Sequence, residues 1–173
     1  MNTDLDAKSG SRARAARFVL LPLLAALAAC SSPPPIPLPP PPPKPTIVAA
    51  VLEASANVNP DARKRASPIV IRIYELKSSA SFDAADFLSL YERDQATLAA
   101  EMGSREEFVL RPGESKPWEK IAGEDVRFIG VIAAFRDIES ARWKAKVPVK
   151  ANARNVIMIR ADEITVTGTV TVR

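Results

Sequence analysis

The sequence contains a ten-residue stretch, VRFIGVIAAF at positions 126–135, that is almost entirely apolar. Its short length and its lack of helix-capping residues predict a strand that is covered on both faces. A polar connection follows at residues 136–140, and ARWKAKVPV at 141–149 then alternates apolar and polar residues. The two segments predict a β-hairpin, with Pro148 at an edge or a bulge because proline has no N–H to donate.

Period-two patterns occupy most of the remaining sequence from Thr46 onward. Between Val48 and Val58 every even position is apolar, which predicts a half-buried strand. Arg111-Pro112-Gly113-Glu114 places Pro and Gly at the centre of a type II turn, so we expect a hairpin there. Strands are predicted at residues 48–58, 68–76 and 107–110, around Trp118 and Ile121, and along 155–172, where Val and Thr occupy opposite faces.

One segment, about residues 81–102, changes to helical spacing. Its apolar positions recur three or four residues apart, Asp83 can cap the start of a helix with Asp86 three residues further on, and Gly103 suits the left-handed position after the end. Poor helix formers predict a break near 92–94. The sequence therefore predicts a mainly β protein, a two-sheet antiparallel β-sandwich with a helical insertion between its second and third strands.

The N-terminal residues have the layout of a bacterial signal peptide. Four basic residues precede an apolar run at 18–28, which is too short to span a bilayer and ends in small residues before Cys30, the single cysteine. Residues 27–30, Leu-Ala-Ala-Cys, resemble the lipobox of lipoproteins. We expect residues 1–29 to be removed and Cys30 to be lipidated; ordinary cleavage that leaves a free thiol is the alternative.

A proline-rich tract separates this cysteine from the predicted sandwich. Ten of the thirteen residues at 33–45 are proline, so we expect residues 30–45 to form an extended tether and 46–173 to form one domain. Residues 1–29 hold four of the 24 Lys and Arg residues and two of the 20 Asp and Glu residues, which leaves a formal net charge of +2 on the remainder. That balance gives no electrostatic reason to expect nucleic-acid binding.

The composition argues against an enzyme. The sequence has no histidine, its only cysteine is assigned to lipid, and only six glycines are present for phosphate-binding loops. No serine lies in a nucleophile elbow, and no cluster has the spacing of metal ligands. We therefore expect no catalytic residues, no metal, no cofactor and no small-molecule substrate.

Three segments together resemble a known family. They are residues 57–98, from NVNPDARKRASP to YERDQATL, residues 109–115, VLRPGES, and residues 126–149, from VRFIGVIAAFRD to VPV. This order, with the lipobox, resembles the outer-membrane lipoprotein of type VI secretion systems, the TssJ family, also called SciN or VasD. The resemblance implies a transthyretin-like sandwich that faces the periplasm and binds the C-terminal periplasmic part of TssM, in a complex that also contains TssL.

The resemblance also implies a binding site. The family's partner contact is the loop between its first two strands, which here comprises Asn59, Pro60, Asp61, Ala62, Arg63, Lys64, Arg65, Ala66 and Ser67. Three adjacent cations in this loop would favour an acidic partner surface. The residues alone favour a different interpretation, a solvated hairpin tip that keeps an edge soluble, and the resemblance is what favours a binding site. A lipid-tethered module for a small ligand or for peptidoglycan is the alternative function.

Overall fold

A computed structural model of the protein describes residues 40–172. The predicted signal peptide, Cys30 and most of the proline tract lie outside the described residues. No helix in the described range is long and apolar enough to cross a membrane. The elements are β1 (Ile47–Ala54), β2 (Ile69–Leu76), α1 (Ala80–Ala84), α2 (Phe87–Glu92), α3 (Asp94–Leu98), a 3-10 turn (Ala99–Glu101), β3 (Met102–Leu110), β4 (Ser115–Ile121), β5 (Phe128–Ala133), β6 (Lys144–Pro148), β7 (Arg154–Ala161) and β8 (Val166–Val172).

The eight strands form two four-stranded sheets. Sheet A has the order β4-β1-β7-β8, and sheet B has the order β3-β2-β5-β6. All strand pairs are antiparallel except β1–β7, which is parallel. The predicted mainly β sandwich is therefore confirmed, and so is the helical insertion, which lies between β2 and β3.

The core lies between the two sheets and follows the predicted periodicity. On β1 the even positions are buried and the odd positions are half-buried. On β5 five of the six residues are buried, as expected for an inner strand of sheet B. Each large aliphatic side chain buried in this way contributes about 1.5–3 kcal/mol to folding. The main contributors are Val48, Leu52, Ile69, Ile71, Ile73, Leu110, Ile129, Val131, Ile157 and Ile159.

The helical insertion covers the outer face of sheet B. A second apolar cluster forms there from Tyr74, Leu76, Phe82, Leu90, Leu98 and Ile132. The chain breaks at Arg93, between α2 and α3, as predicted. Two predictions for the insertion were wrong: Asp86 rather than Asp83 caps a helix, by accepting a hydrogen bond from Ser89 N, and Ala99 rather than Gly103 has a positive φ. Gly103 is extended because β3 has already begun to pair with β2.

The turn at residues 111–114 forms as predicted but does not make a hairpin. Gly113 has a φ of 78°, and Glu114 N donates to Arg111 O over 2.9 Å. The strands on its two sides belong to different sheets, because β3 pairs with β2 whereas β4 pairs with β1. The turn thus carries the chain across the sandwich.

The strand directions give the sandwich two distinct ends. The chain enters β1 at one end, called the base, where the β4–β5 and β6–β7 connections also lie. The β1–β2, β5–β6 and β7–β8 loops lie at the other end, called the tip. An eight-residue strand such as β1 separates the two ends by about 26 Å.

Candidate functional site: the tip loops

The β1–β2 loop is held in shape by Asp61. Its Oδ1 accepts hydrogen bonds from Arg63 N at 2.8 Å and Arg65 N at 3.0 Å. Its Oδ2 accepts from Arg65 Nε at 2.8 Å, and Asp61 N donates to Arg65 O over 2.9 Å. These bonds from Arg65 lower the pKa of Asp61, and the charge of Arg136 adds a smaller effect in the same direction. A single carboxylate thus closes the loop.

The apex of the loop is exposed but less basic than the sequence suggests. Ala62, Arg63, Lys64 and Arg65 are all exposed. Arg65 forms an ion pair with Asp61, with 2.7 Å between nitrogen and oxygen. The salt bridges among residues 40–172 include neither Arg63 nor Lys64. Of the three loop cations, Arg63 and Lys64 are therefore the two that lie outside any ion pair among residues 40–172.

The two ends of the predicted site are buried. Asn59 is 4% exposed and Ser67 is 8% exposed, so neither presents its side chain to a partner. Ser67 N donates to Val58 O over 3.0 Å, which closes the base of the loop. Pro60, Asp61 and Ala66 are half-buried. The nine residues therefore divide into an exposed apex and a structural base.

A cleft of about 610 Å³ lies beside the loop. It is bordered by Pro60, Ala62 and Lys64, by residues 135–137 after β5, and by Glu163 and Ile164 before β8. The β5–β6 and β7–β8 loops are joined by backbone hydrogen bonds of 2.8 Å from Arg142 N to Ile164 O and from Val166 N to Arg142 O. These two loops and the β1–β2 loop therefore form one continuous surface at the tip, where the β3–β4 turn also lies.

Two of these loops were not predicted from the sequence to belong to the site. Arg136 and Asp137 lie in the segment that resembles the family, and their opposite charges predict an ion pair within their own loop. Among residues 40–172 the salt bridges do not include this pair; Asp137 Oδ1 instead accepts a hydrogen bond from Ser140 N at 3.3 Å. No sequence pattern links Glu163 to the β1–β2 loop, because only sheet pairing brings them together.

The tip shows no arrangement for metal chemistry. Within the described part of the chain, no group of three or more Asp, Glu, Cys or His residues could hold a metal ion. The tip instead offers exposed cations, a cleft and backbone groups fixed by hydrogen bonds, which suits recognition of another protein.

Comparison with known proteins identifies the family. Residues 46–164 match the family model described as type VI secretion lipoprotein, VasD, EvfM, TssJ. The protein belongs to this family. The family predicted from the resemblance is thus confirmed. It is a family of secretion-system lipoproteins rather than of enzymes.

Solved structures agree with the family match. The lipoprotein TssJ1 from Pseudomonas aeruginosa is 33% identical, with 75% of this chain and 97% of that chain covered and a TM-score of 0.70. Lip from Serratia marcescens, a membrane-bound component of the type VI secretion system, is 26% identical, with 72% and 98% covered and a TM-score of 0.67. A chain in a structure described as the T6SS protein TssM C-terminal domain from EAEC is 25% identical, with 73% and 99% covered and a TM-score of 0.57. A search of curated proteins gave no match.

Proposed function

We propose that this member of the family is lipidated at Cys30 and anchored in the outer membrane, where its sandwich faces the periplasm. Its tip binds the C-terminal periplasmic part of TssM within a TssJ–TssL–TssM complex. The observation that carries this proposal is the tip itself: a loop closed by Asp61 presents Arg63 and Lys64 to solvent beside a cleft.

The direction in which the chain enters β1 supports a role in linking the membrane to a partner protein. Residues 42–46 lead into β1 at the base, and the candidate surface lies at the opposite end of the strands. An anchor attached through the preceding residues leaves the tip free to meet a partner across the periplasm. The match to a chain in the TssM C-terminal domain structure supports TssM as that partner.

The lining of the tip cleft favours a protein partner over a small ligand. Pockets for small molecules are lined mainly by apolar and aromatic side chains. Here Lys64, Arg136, Asp137 and Glu163 border the cleft together with a few apolar residues. Mixed charge around an apolar centre is instead typical of a protein interface and its rim.

Charge reversal at the apex tests the proposal. Arg63→Glu with Lys64→Glu, in the mature chain made lipid-free by Cys30→Ser, should weaken binding to the TssM C-terminal fragment at least tenfold, mainly by slowing association. The thermal midpoint should change little, because both side chains are exposed and outside any ion pair among residues 40–172. Surface plasmon resonance at two salt concentrations measures the rates.

Arg93→Glu with Lys150→Glu is the matched control. Both residues are exposed, and the change in net charge is the same, but neither lies in the tip loops. We expect this variant to bind nearly as the wild-type chain does. Equal loss in both double variants would mean that only net charge matters, and unchanged binding in the apex variant would place the contact elsewhere.

A further inference from the structure

We propose that Asn59 is a positioning residue that joins the three tip loops into a single recognition surface. The surface fits a protruding segment of the folded TssM fragment that carries an apolar side chain and a carboxylate beside it. This inference rests on the proposed function, because it concerns how the same tip recognises its partner.

Asn59 makes a hydrogen bond to each of three separate segments. Its Oδ1 accepts from Arg136 N at 2.8 Å, and its Nδ2 donates to Pro68 O over 2.8 Å. Its own backbone N donates to Glu163 O over 3.0 Å. Only 4% of the residue is exposed, so these bonds are shielded from water. Asn59 therefore holds the β5–β6 and β7–β8 loops against the loop that carries the exposed cations.

An asparagine meets the requirements of this position. The backbone φ is 51°, in the left-handed region that asparagine enters more readily than most residues with a side chain. The amide is also short and carries both an acceptor and a donor. Its removal would take these hydrogen-bond partners from Arg136 N and Pro68 O, and the loss of two partly buried hydrogen bonds costs free energy.

The geometry indicates what the partner presents. Phe135 and Ile164 give the cleft an apolar floor, and Lys64 stands on its border. Arg136 lies close enough to Asp61 for its charge to act on that carboxylate. A partner loop would place an apolar side chain over the floor and a carboxylate toward Lys64 and Arg136. This arrangement pairs opposite charges around an apolar contact.

Hydrogen exchange in the free mature chain tests the positioning role. Asn59→Gly permits the same φ but removes both side-chain bonds, so the Arg136 amide should exchange at least tenfold faster. The control is Asn152→Gly. Asn152 also has a positive φ, of 58°, but it is exposed and lies in the β6–β7 loop at the base. Asn59→Asp keeps the acceptor for Arg136 N and serves as a second variant if the glycine variant is too unstable.

We expect fast exchange at Arg136 with Asn59→Gly and near wild-type exchange with Asn152→Gly and Asn59→Asp. An Arg136 amide that stays protected in Asn59→Gly overturns the positioning role. Exchange that rises equally throughout the domain also overturns it, because the residue would then contribute only general stability.

A double-mutant cycle tests the effect on recognition. Arg136→Glu should weaken binding of the TssM fragment about tenfold in the wild-type background but by less than about threefold when combined with Asn59→Gly. Asn59→Gly alone should speed dissociation more than it slows association, because Arg63 and Lys64 remain. Additive effects would mean that Asn59 does not position Arg136 for the partner. Failure of the wild-type chain to bind would overturn the proposed function, and the exchange experiment would still decide the positioning role.

Discussion

At the scale of single residues, Asp61 shows how a short polar side chain can shape a binding loop. Its carboxylate accepts hydrogen bonds from two backbone N–H groups and from the Arg65 side chain, and these bonds close the loop. The carboxylate also forms an ion pair with Arg65, one of three adjacent cations. The three adjacent cations in the sequence therefore suggest a larger positive charge than the folded loop presents to a partner.

The closed conformation of the loop should consequently be lost at acid pH, where Asp61 becomes protonated. Hydrogen bonds from Arg65 lower the pKa of Asp61 in the folded state, so the stabilisation is present above the unfolded pKa of about 3.9 and is lost as the pH falls through the folded value. Arg63 and Arg65 amide shifts, followed by NMR, should titrate with a midpoint below about 3.9. Asp61→Asn is the control and should show no such titration. A midpoint at or above the ordinary value would mean that the carboxylate does not close the loop in solution.

At the scale of elements, the helical insertion depends on side chains from sheet B. Its helices have five, six and five residues, too short to be stable in isolation. Arg72 on β2 donates to Tyr91 O at 2.8 Å and pairs with Glu107 at 2.7 Å. Burial raises the pKa of Tyr74 to about 12, more than the hydrogen bond from Arg72 lowers it.

Lysines of β6 hold the other side of the insertion. Lys144 Nζ donates to the carbonyl oxygens of Phe82, Asp83 and Ala85 at 2.9–3.0 Å, at the end of α1. Burial lowers the pKa of Lys144. Lys146 pairs with Asp83 at 2.6 Å and lowers the pKa of that carboxylate. Two sets of polar contacts, one from β2 and one from β6, thus fix the insertion on the sheet.

Removal of the buried guanidinium should weaken the whole domain. Arg72→Met should cost about 2–4 kcal/mol, because it leaves Asp94, which is 3% exposed, with fewer partners and removes a donor from the carbonyls of Leu90 and Tyr91. Arg93→Met, an exposed arginine in the same insertion, should change stability by less than about 0.5 kcal/mol. Urea unfolding measures both variants. Equal effects would show that the network around Arg72 adds nothing beyond ordinary surface packing.

At the scale of the whole molecule, the proposed function assigns separate roles to the base and the tip. The chain reaches the base through a proline tract, and the candidate surface lies about 26 Å away at the opposite end of the strands. An extended tract of thirteen residues would add about 40 Å of reach between the membrane and the sandwich.

The length of the tract should therefore matter more than its side chains. Deletion of residues 33–43 should leave the thermal midpoint and the affinity for the TssM fragment unchanged in solution, yet impair type VI secretion in cells. The control replaces Ile36 and Leu38 by proline, which keeps the length and should preserve secretion. Effector release and membrane fractionation report the outcomes. Loss of affinity in solution after the deletion would instead make the tract a binding element.

Local patterns in the sequence determined the elements of this protein. Alternating apolar residues predicted β1, β2 and β6, and a continuous apolar run predicted β5. Pro112-Gly113 predicted a turn, and helical spacing predicted an insertion with a break near Arg93. Each of these features depends on residues only a few positions apart, so the periodicity of the chain is sufficient to reveal it.

Tertiary structure decided how the elements meet. The separation of β3 from β4, the parallel β1–β7 pair and the burial of Asn59 all depend on backbone groups far apart in sequence. The hydrogen bond from Arg136 N to Asn59 Oδ1 spans 77 positions, and no local pattern encodes such a contact. The β1–β2 loop could therefore be located from the sequence, but the three-loop surface to which it belongs exists only once the sheets have paired.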